Sequence, residues 1–373
     1  MRLIRLIPGV LLAAGLAVAC GGTSSGDSGS SGNMGGDGSG AETGITLEEL
    51  PGKYAAAFCD VFTSCIGDVW NIFRPGEECL KTFGPRVEEE LAPLADAIKA
   101  GRVKYDGTKV QACLDDLTAR DCEALSQREP PSCQAAVEGT VKEGGDCTLD
   151  EECEGDQYCK LSDKCPGKCA AYEPAGGACT GDDNCKSGLK CDDNGHCVAP
   201  GKKGDACKQG EPDCGDGMLC LGDDDKTKTP GTCYSIDEAF AGKEGDDCSF
   251  DGHLCQAGTA CEITKVAPLG GTCVARVKSG AECHAALPDE CPDDEFCALS
   301  AANPLLPGKC TAKPASGEKC GAALGGEVCA AYARCDGGVC RDIAHAGEDC
   351  TVSTTCYSDH CVNGACVLSN SCE

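Results

Sequence analysis

The chain has 373 residues, among them 37 cysteines and 51 glycines against one Trp, seven Tyr and seven Phe. Close to one cysteine in ten residues marks a disulfide scaffold and argues against a single large-cored enzyme, a multi-pass membrane protein or a cytosolic protein. The net charge of −29 argues against a nucleic-acid partner, whose phosphates need a basic surface.

Residues 1–20, MRLIRLIPGVLLAAGLAVAC, open with Arg2 and Arg5, run on through apolar residues and end on Ala17, Val18, Ala19 and Cys20. The apolar run is too short and wrongly flanked to span a bilayer, so it reads as an export signal. It resembles a bacterial lipoprotein signal, in which the cysteine after the small residues is lipidated and becomes residue one. The resemblance implies a membrane anchor on Cys20. With Gly21 rather than Asp next to it, it also implies an outer-membrane or cell-surface location. The alternative is ordinary cleavage after Ala19, which releases a soluble secreted chain. Lipidation removes one thiol from the 37 and leaves an even number for pairing; ordinary cleavage strands one. Residues 21–45 are rich in Gly and Ser and bury nothing; such a tether reaches roughly 25–30 Å.

Residues 46–141 are predicted to form a small helical domain. Thr46 and Glu49 have the spacing of a capping box, and Tyr54, Phe58, Val61, Phe62 and Cys65 recur on one helical face. A second face carries Leu80, Phe83, Val87, Leu91, Leu94 and Ile98 and stops at Gly101. Asp106 or Thr108 opens a third, carrying Val110, Cys113, Leu114 and Leu117. Seven aromatics fall in this stretch: Tyr54, Phe58, Phe62, Trp70, Phe73, Phe83 and Tyr105. A core this small is commonly stapled, and the candidate staples are Cys59, Cys65, Cys79, Cys113, Cys122 and Cys133. Cys59 and Cys65 point to different sides of a continuous helix and are not expected to pair together. Fifteen pairings of six cysteines remain open. The close spacing of structural zinc ligands is missing, so no metal is expected.

Residues 142–373 carry one cysteine frame seven times. Each unit opens with Gly-x-x-Cys and closes with Gly-x-Cys, with two further cysteines between. The quartets are Cys147, Cys153, Cys159 and Cys169; Cys179, Cys185, Cys191 and Cys197; Cys207, Cys214, Cys220 and Cys233; Cys248, Cys255, Cys261 and Cys273; Cys283, Cys291, Cys297 and Cys310; Cys320, Cys329, Cys335 and Cys340; and Cys350, Cys356, Cys361 and Cys366. A fixed frame with variable loops is the mark of tandem duplication. Asn194-Gly195, Gly337-Gly338 and Asn363-Gly364 predict type I′ turns between the last two cysteines, making each unit a short β-hairpin module. Two bridges of about 3 kcal/mol each replace the core that some 30 residues cannot build, and three connectivities per quartet remain open. The expected fold class is therefore small and disulfide-rich: a stapled helical domain followed by a rod of seven hairpin repeats. Cys165 and Cys372 stand outside the frame, either pairing with each other to tie the end of the array to its first unit or forming a local extra bridge and a free thiol.

The runs Cys147-TLDEE-Cys153-EGDQY-Cys159 and Cys179-TGDDN-Cys185-KSGLK-Cys191 resemble the Dickkopf N-terminal cysteine-rich domain, in pieces from Cys147 onward. That family's animal members are secreted antagonists of Wnt receptors. The resemblance implies a secreted, disulfide-rich, non-enzymatic module and carries over no site residue beyond the cysteines.

No catalytic motif surrounds His196, His253, His284, His345 or His360, and framed cysteines are expected in bridges, so neither an enzyme nor a cofactor is expected. The acidic runs Asp182-Asp183-Asn184, Asp192-Asp193-Asn194, Asp223-Asp224-Asp225 and Asp293-Asp294-Glu295 read as a solvated surface, with weak calcium binding as the alternative. The expected function is an extracellular binding or adhesion array for a protein or glycan. The alternatives are a structural spacer and a protease inhibitor presenting the loop around Leu305-Leu306.

Overall fold

The computed structural model describes residues 44–70, 74, 76–122, 130–161, 166–181, 184–208, 214–223, 227–249, 253–266, 269–287, 289–299, 306–323 and 326–368. The export segment with Cys20, the tether up to Thr43, Phe73, Cys165, Leu305 and Cys372 lie outside the described residues.

Among the described residues four helices build the N-terminal region: α1 (Leu50–Ile66), α2 (Cys79–Lys99), α3 (Gly107–Thr118) and the short α4 (Pro131–Ala136). The capping box forms just ahead of α1, with Thr46 N donating to Glu49 Oε2 at 2.9 Å and Glu49 N donating to Thr46 Oγ1 at 3.3 Å. Pro51 falls in the first turn, where its missing N–H costs nothing. Asp106, not Thr108, caps α3 by accepting from Thr108 N at 3.1 Å. Gly101, at φ +73°, ends α2, and Arg102 N closes back on Ala97 O at 2.9 Å.

Phe58, Phe62, Trp70 and Phe83 form one cluster with ring centroids 5.2–5.8 Å apart, mostly edge to face. Leu80 departs from the expected apolar face: it is 48 % exposed on the outer side of α2. Cys59–Cys79 ties α1 to the start of α2, Cys113–Cys133 ties α3 to α4, and Cys65–Cys122 joins the end of α1 to the segment after α3. A two-stranded sheet, unanticipated from sequence, joins β1 (Val103–Tyr105) to β2 (Val137–Gly139) antiparallel, with Tyr105 opposite Val137.

Beyond Val141 the chain is a succession of short antiparallel hairpins. First come β3 (Asp146–Cys147), β4 (Gln157–Lys160) and β5 (Gly167–Ala171), then β6 (Lys190–Cys191) with β7 (Cys197–Val198). Next are β8 (Ala206–Cys207), β9 (Met218–Leu221) and β10 (Gly231–Ser235), followed by the single-turn α5 (Ile236–Ala239). β11 (Asp247–Ser249), β12 (Thr259–Val266) and β13 (Leu269–Ala275) precede β14 (Glu282–Cys283), β15 (Ala286–Leu287), β16 (Glu295–Ala298) and β17 (Gly308–Ala312). The order β3-β5-β4 recurs as β8-β10-β9, β11-β13-β12 and β14-β17-β16. Two-stranded hairpins follow, Ala333–Asp336 with Val339–Asp342 and Cys361–Val362 with Ala365–Cys366.

The array is not an extended rod. Leu149, Leu221, Ile236, Ala239 and Phe240 are buried in the same core as the helical aromatics. Farther along, the Tyr332 hydroxyl accepts from Glu78 N at 2.9 Å, and Arg334 pairs with Glu77 at 3.1 Å. Asp359 meets Arg86 at 2.9 Å and His345 meets Glu89 at 2.7 Å. The last hairpins therefore return to α2 and the segment leading into it. A free rod would leave the apolar faces of Ile236 and Phe240 in water, and docking removes that cost.

Candidate functional site

The repeated structural device is a crossed pair of bridges, in which the first cysteine of a quartet bonds the third and the second bonds the fourth. Cys147–Cys159 with Cys153–Cys169 and Cys179–Cys191 with Cys185–Cys197 set the pattern. Cys207–Cys220 with Cys214–Cys233, Cys248–Cys261 with Cys255–Cys273, and Cys283–Cys297 with Cys291–Cys310 repeat it. Cys320–Cys335 with Cys329–Cys340 and Cys350–Cys361 with Cys356–Cys366 complete it. Third and fourth cysteines face each other across a hairpin, as Cys159 faces Cys169 and Cys335 faces Cys340. Each nonetheless bonds backwards to an earlier cysteine, so the two loops interlock.

The opening and closing glycines serve different ends. Gly144, at φ +78°, opens a turn that lets its N–H reach Cys169 O at 2.8 Å, and Gly176, Gly204, Gly245, Gly317 and Gly347 make the same bond to their own fourth cysteines. Gly271 is required by space: a Cβ there would lie 1.7 Å from Glu262 O on the facing strand. Asn363 and Gly364, at φ +53° and +87°, form the expected type I′ turn, as do Gly337 and Gly338 at +59° and +84°. Asn194-Gly195 departs from it. Only Gly195 has positive φ in that pair, and Asp192 N bonds His196 O at 2.9 Å, closing a three-residue loop. One extra residue between Cys191 and Cys197 forces this longer form.

Several acidic side chains are committed to the backbone, while within the acidic runs Asp193 and Asp294 are exposed. Asp150 accepts from Cys159 N at 2.7 Å and Asp289 from Cys297 N at 2.8 Å, so the amide of a third cysteine is held by a carboxylate from the preceding loop. Glu152, Asn184 and Glu290, each just before a second cysteine, accept from Thr148 N, Thr180 N and His284 N. Asp192 accepts from Asn194 N and His196 N, Asp293 pairs with Arg276, and Glu295 accepts from Gly280 N. Asp182, Asp183, Asp224 and Asp225 lie outside the described residues.

The sulfurs that cluster within 4.8 Å of one another, such as those of Cys147, Cys153 and Cys169, are oxidised and offer no thiolate ligand. The histidines are not bare loop residues. His253 Nδ1 lies 2.9 Å from Glu238 O, His360 Nδ1 2.7 Å from Ser358 O, and His345 Nδ1 2.7 Å from Glu89 Oε1. His284 sits between Glu262 and Glu290.

The charged seam between array and helices was invisible to sequence reasoning. Its members, Glu77, Glu89, Tyr332, Arg334 and His345, stand more than 250 residues apart across the contact, with no motif to link them. Glu77 is 5 % exposed. Burial pushes its carboxyl up, but Arg334 and Arg74, with hydrogen bonds from Arg334 and Thr82, outweigh that and hold it below the usual range. Among the described residues no helix is long and apolar enough to cross a membrane.

The seventeen bridges among the described residues require an oxidising environment to form and persist. They use thirty-four of the 37 cysteines and leave Cys20, Cys165 and Cys372 outside the described residues. Comparison with family models, with curated proteins and with solved structures finds no match to this chain.

Proposed function

We propose that the chain is an exported, non-enzymatic binding protein, with residues 46–141 as a helical base and residues 142–373 as seven tandem disulfide modules presenting loops to an extracellular protein or glycan. One observation carries the reading. The crossed bridges are constant while the loop between third and fourth cysteines varies from the two-residue Gly337-Gly338 turn to the long β12–β13 hairpin. Recognition concentrates on variable loops held by a rigid frame.

A lipid anchor on Cys20 fits the parity of the sulfurs, because lipidation leaves Cys165 and Cys372 as an even remainder. The test is binding of the purified, fully oxidised chain to an array of surface glycans and proteins, alongside adhesion of a deletion strain. Partner retention that disappears when the whole segment between Cys261 and Cys273 is replaced by the four-residue Val-Asn-Gly-Ala hairpin found between Cys361 and Cys366 supports the proposal. An empty panel together with wild-type adhesion of the deletion strain removes it. Leu306, 53 % exposed at the foot of the β16–β17 hairpin, favours a second reading, protease inhibition, which a residual-activity assay against a protease panel decides.

A further inference from the structure

The junction between the hairpins of Cys261/Cys273 and Cys297/Cys310 brings three ligand-type side chains together. β12 pairs with β15, placing Glu262 opposite Ala286, and Ile263 N bonds Ala285 O at 2.7 Å. This register carries Glu262 from one bridged cluster to His284 and Glu290 of the next. His284 Nδ1 then lies 3.9 Å from Glu262 Oε1 and 3.8 Å from Glu290 Oε1. Neither separation is a hydrogen bond.

Glu290 supplies the second, independent observation. Its side chain is 2 % exposed. One oxygen, Oε2, is anchored by His284 N at 3.2 Å, while Oε1 is buried without a hydrogen-bond partner among the described residues and is the oxygen nearest the imidazole. A buried carboxylate oxygen left so is costly. The His284 imidazole faces both carboxylates without a hydrogen bond to either.

The geometry points to a divalent cation site of the zinc type, ligated by His284 Nδ1, Glu262 Oε1 and Glu290 Oε1. One imidazole and two carboxylates form a donor set that suits zinc and its transition-metal neighbours, whereas calcium takes oxygen alone. A tetrahedral ion with bonds of about 2.0–2.2 Å spaces its ligands roughly 3.3–3.6 Å apart. Small rotations of the partly exposed Glu262 and His284 side chains, 32 % and 41 % accessible, close the difference. Water completes the coordination on the exposed side. The ion joins two neighbouring bridged clusters through side chains, where among the described residues the bridges do not cross between clusters. This site is independent of the binding role proposed above, and it departs from the metal-free chain expected from sequence.

The test uses the whole oxidised chain, with alkylation and mass measurement showing no free thiol, so that sulfur cannot bind the ion. Calorimetric titration with Zn²⁺ is expected to show one saturable equivalent per chain. H284A, E262Q and E290Q are each expected to weaken it at least about tenfold, the loss that even an outer-shell partner brings. E290Q keeps the side-chain shape and the acceptor for His284 N. Wild-type protein gives a readout free of folding questions: Zn²⁺ should protect His284 alone among the five histidines from carbethoxylation, mapped by mass. Absence of a saturable equivalent, uptake unchanged in all three variants, or no protection of His284 overturns the assignment.

Discussion

Tyr54 and Cys147 are equally hidden from solvent, yet different physics keeps them there. Around Tyr54 lie the Phe58, Phe62, Trp70 and Phe83 rings and the aliphatic residues of α1–α3, a core that water expels. Around Cys147 lie only Cys153, Cys159 and Cys169, with Val141 packed against them. Burial alone therefore does not tell what holds a region. The helical region has bridges as well as rings, while the bridged clusters add only scattered apolar side chains such as the stacked Tyr158 and Tyr172. Where the two meet, both kinds of surface are combined: Ile236 and Phe240 enter the ring core, and Glu77 and Arg334 pair at its edge.

The harshest way to separate the regions is full reduction. Loss of two bridges removes about 6 kcal/mol from a cluster at roughly 3 kcal/mol each, more than its few buried aliphatics return. The array is expected to become protease-sensitive throughout, while helical ellipticity survives in part on the aromatic core. Timed proteolysis with mass mapping reads the first, and far-ultraviolet circular dichroism the second. Equal resistance of the array before and after reduction would sink the comparison. The converse cut is Phe83→Ala, which opens the ring cluster and is expected to cost about 3–5 kcal/mol. The bridges of the array should still form, as peptide mapping without reductant would show.

The seam between the regions responds to acid. Glu77 has a depressed folded value, so its contribution is complete above the ordinary carboxyl value of 4.5 and is lost as pH falls through the lower folded one. The Tyr332–Arg334 amides should lose exchange protection, corrected for the intrinsic rate, as pH falls through the depressed Glu77 value and before the bridged clusters change. Arg334→Ala should bring the same loosening to neutral pH by leaving Glu77 buried without its closest ion-pair partner. The expected cost is about 3 kcal/mol, at the low end for a broken buried pair because Arg334 keeps some solvent contact. Unchanged exchange at Tyr332 in both experiments would show that apolar docking alone closes the array.

What could be foreseen from sequence follows the range of the interaction. The Thr46–Glu49 box, the Asp106 cap and the Asn363-Gly364 turn each rest on residues within four positions of one another, and the framed cysteines recur as a pattern at spacings of five to thirteen residues. The pairing was open because all three connectivities share that pattern; only the facing of Cys159 with Cys169 across the hairpin sets the geometry in which both reach backwards. Leu80 has the periodicity of a core residue, but α2 turns it outward, since its periodic face is wider than what α1 and α3 can cover. The return of Tyr332, Arg334 and His345 to α2 needed a three-dimensional path that short modules with variable loops do not encode locally. The Glu262–His284–Glu290 cluster was hidden for the same reason, split across two quartets and joined by the β12–β15 pairing.

The finest cut removes one carboxylate acceptor from each region. Asp150 holds Cys159 N and Asp106 holds Thr108 N, at 2.7 and 3.1 Å. Asp150→Ala leaves the amide of a buried cysteine without that acceptor, a cost of about 1–2 kcal/mol. Cys147–Cys159 and Cys153–Cys169 keep the cluster closed regardless, so the effect is expected in exchange at the Cys159 amide rather than in the unfolding midpoint. Asp106→Ala costs about 1 kcal/mol, as the loss of a helix cap usually does. α3 depends on its cap and its packed face together, so this smaller loss is expected to lower the thermal midpoint of the helical region. A shifted midpoint with Asp150→Ala and none with Asp106→Ala would reverse the assignment, making the rings the rigid part of the molecule and the bridged clusters the cooperative one.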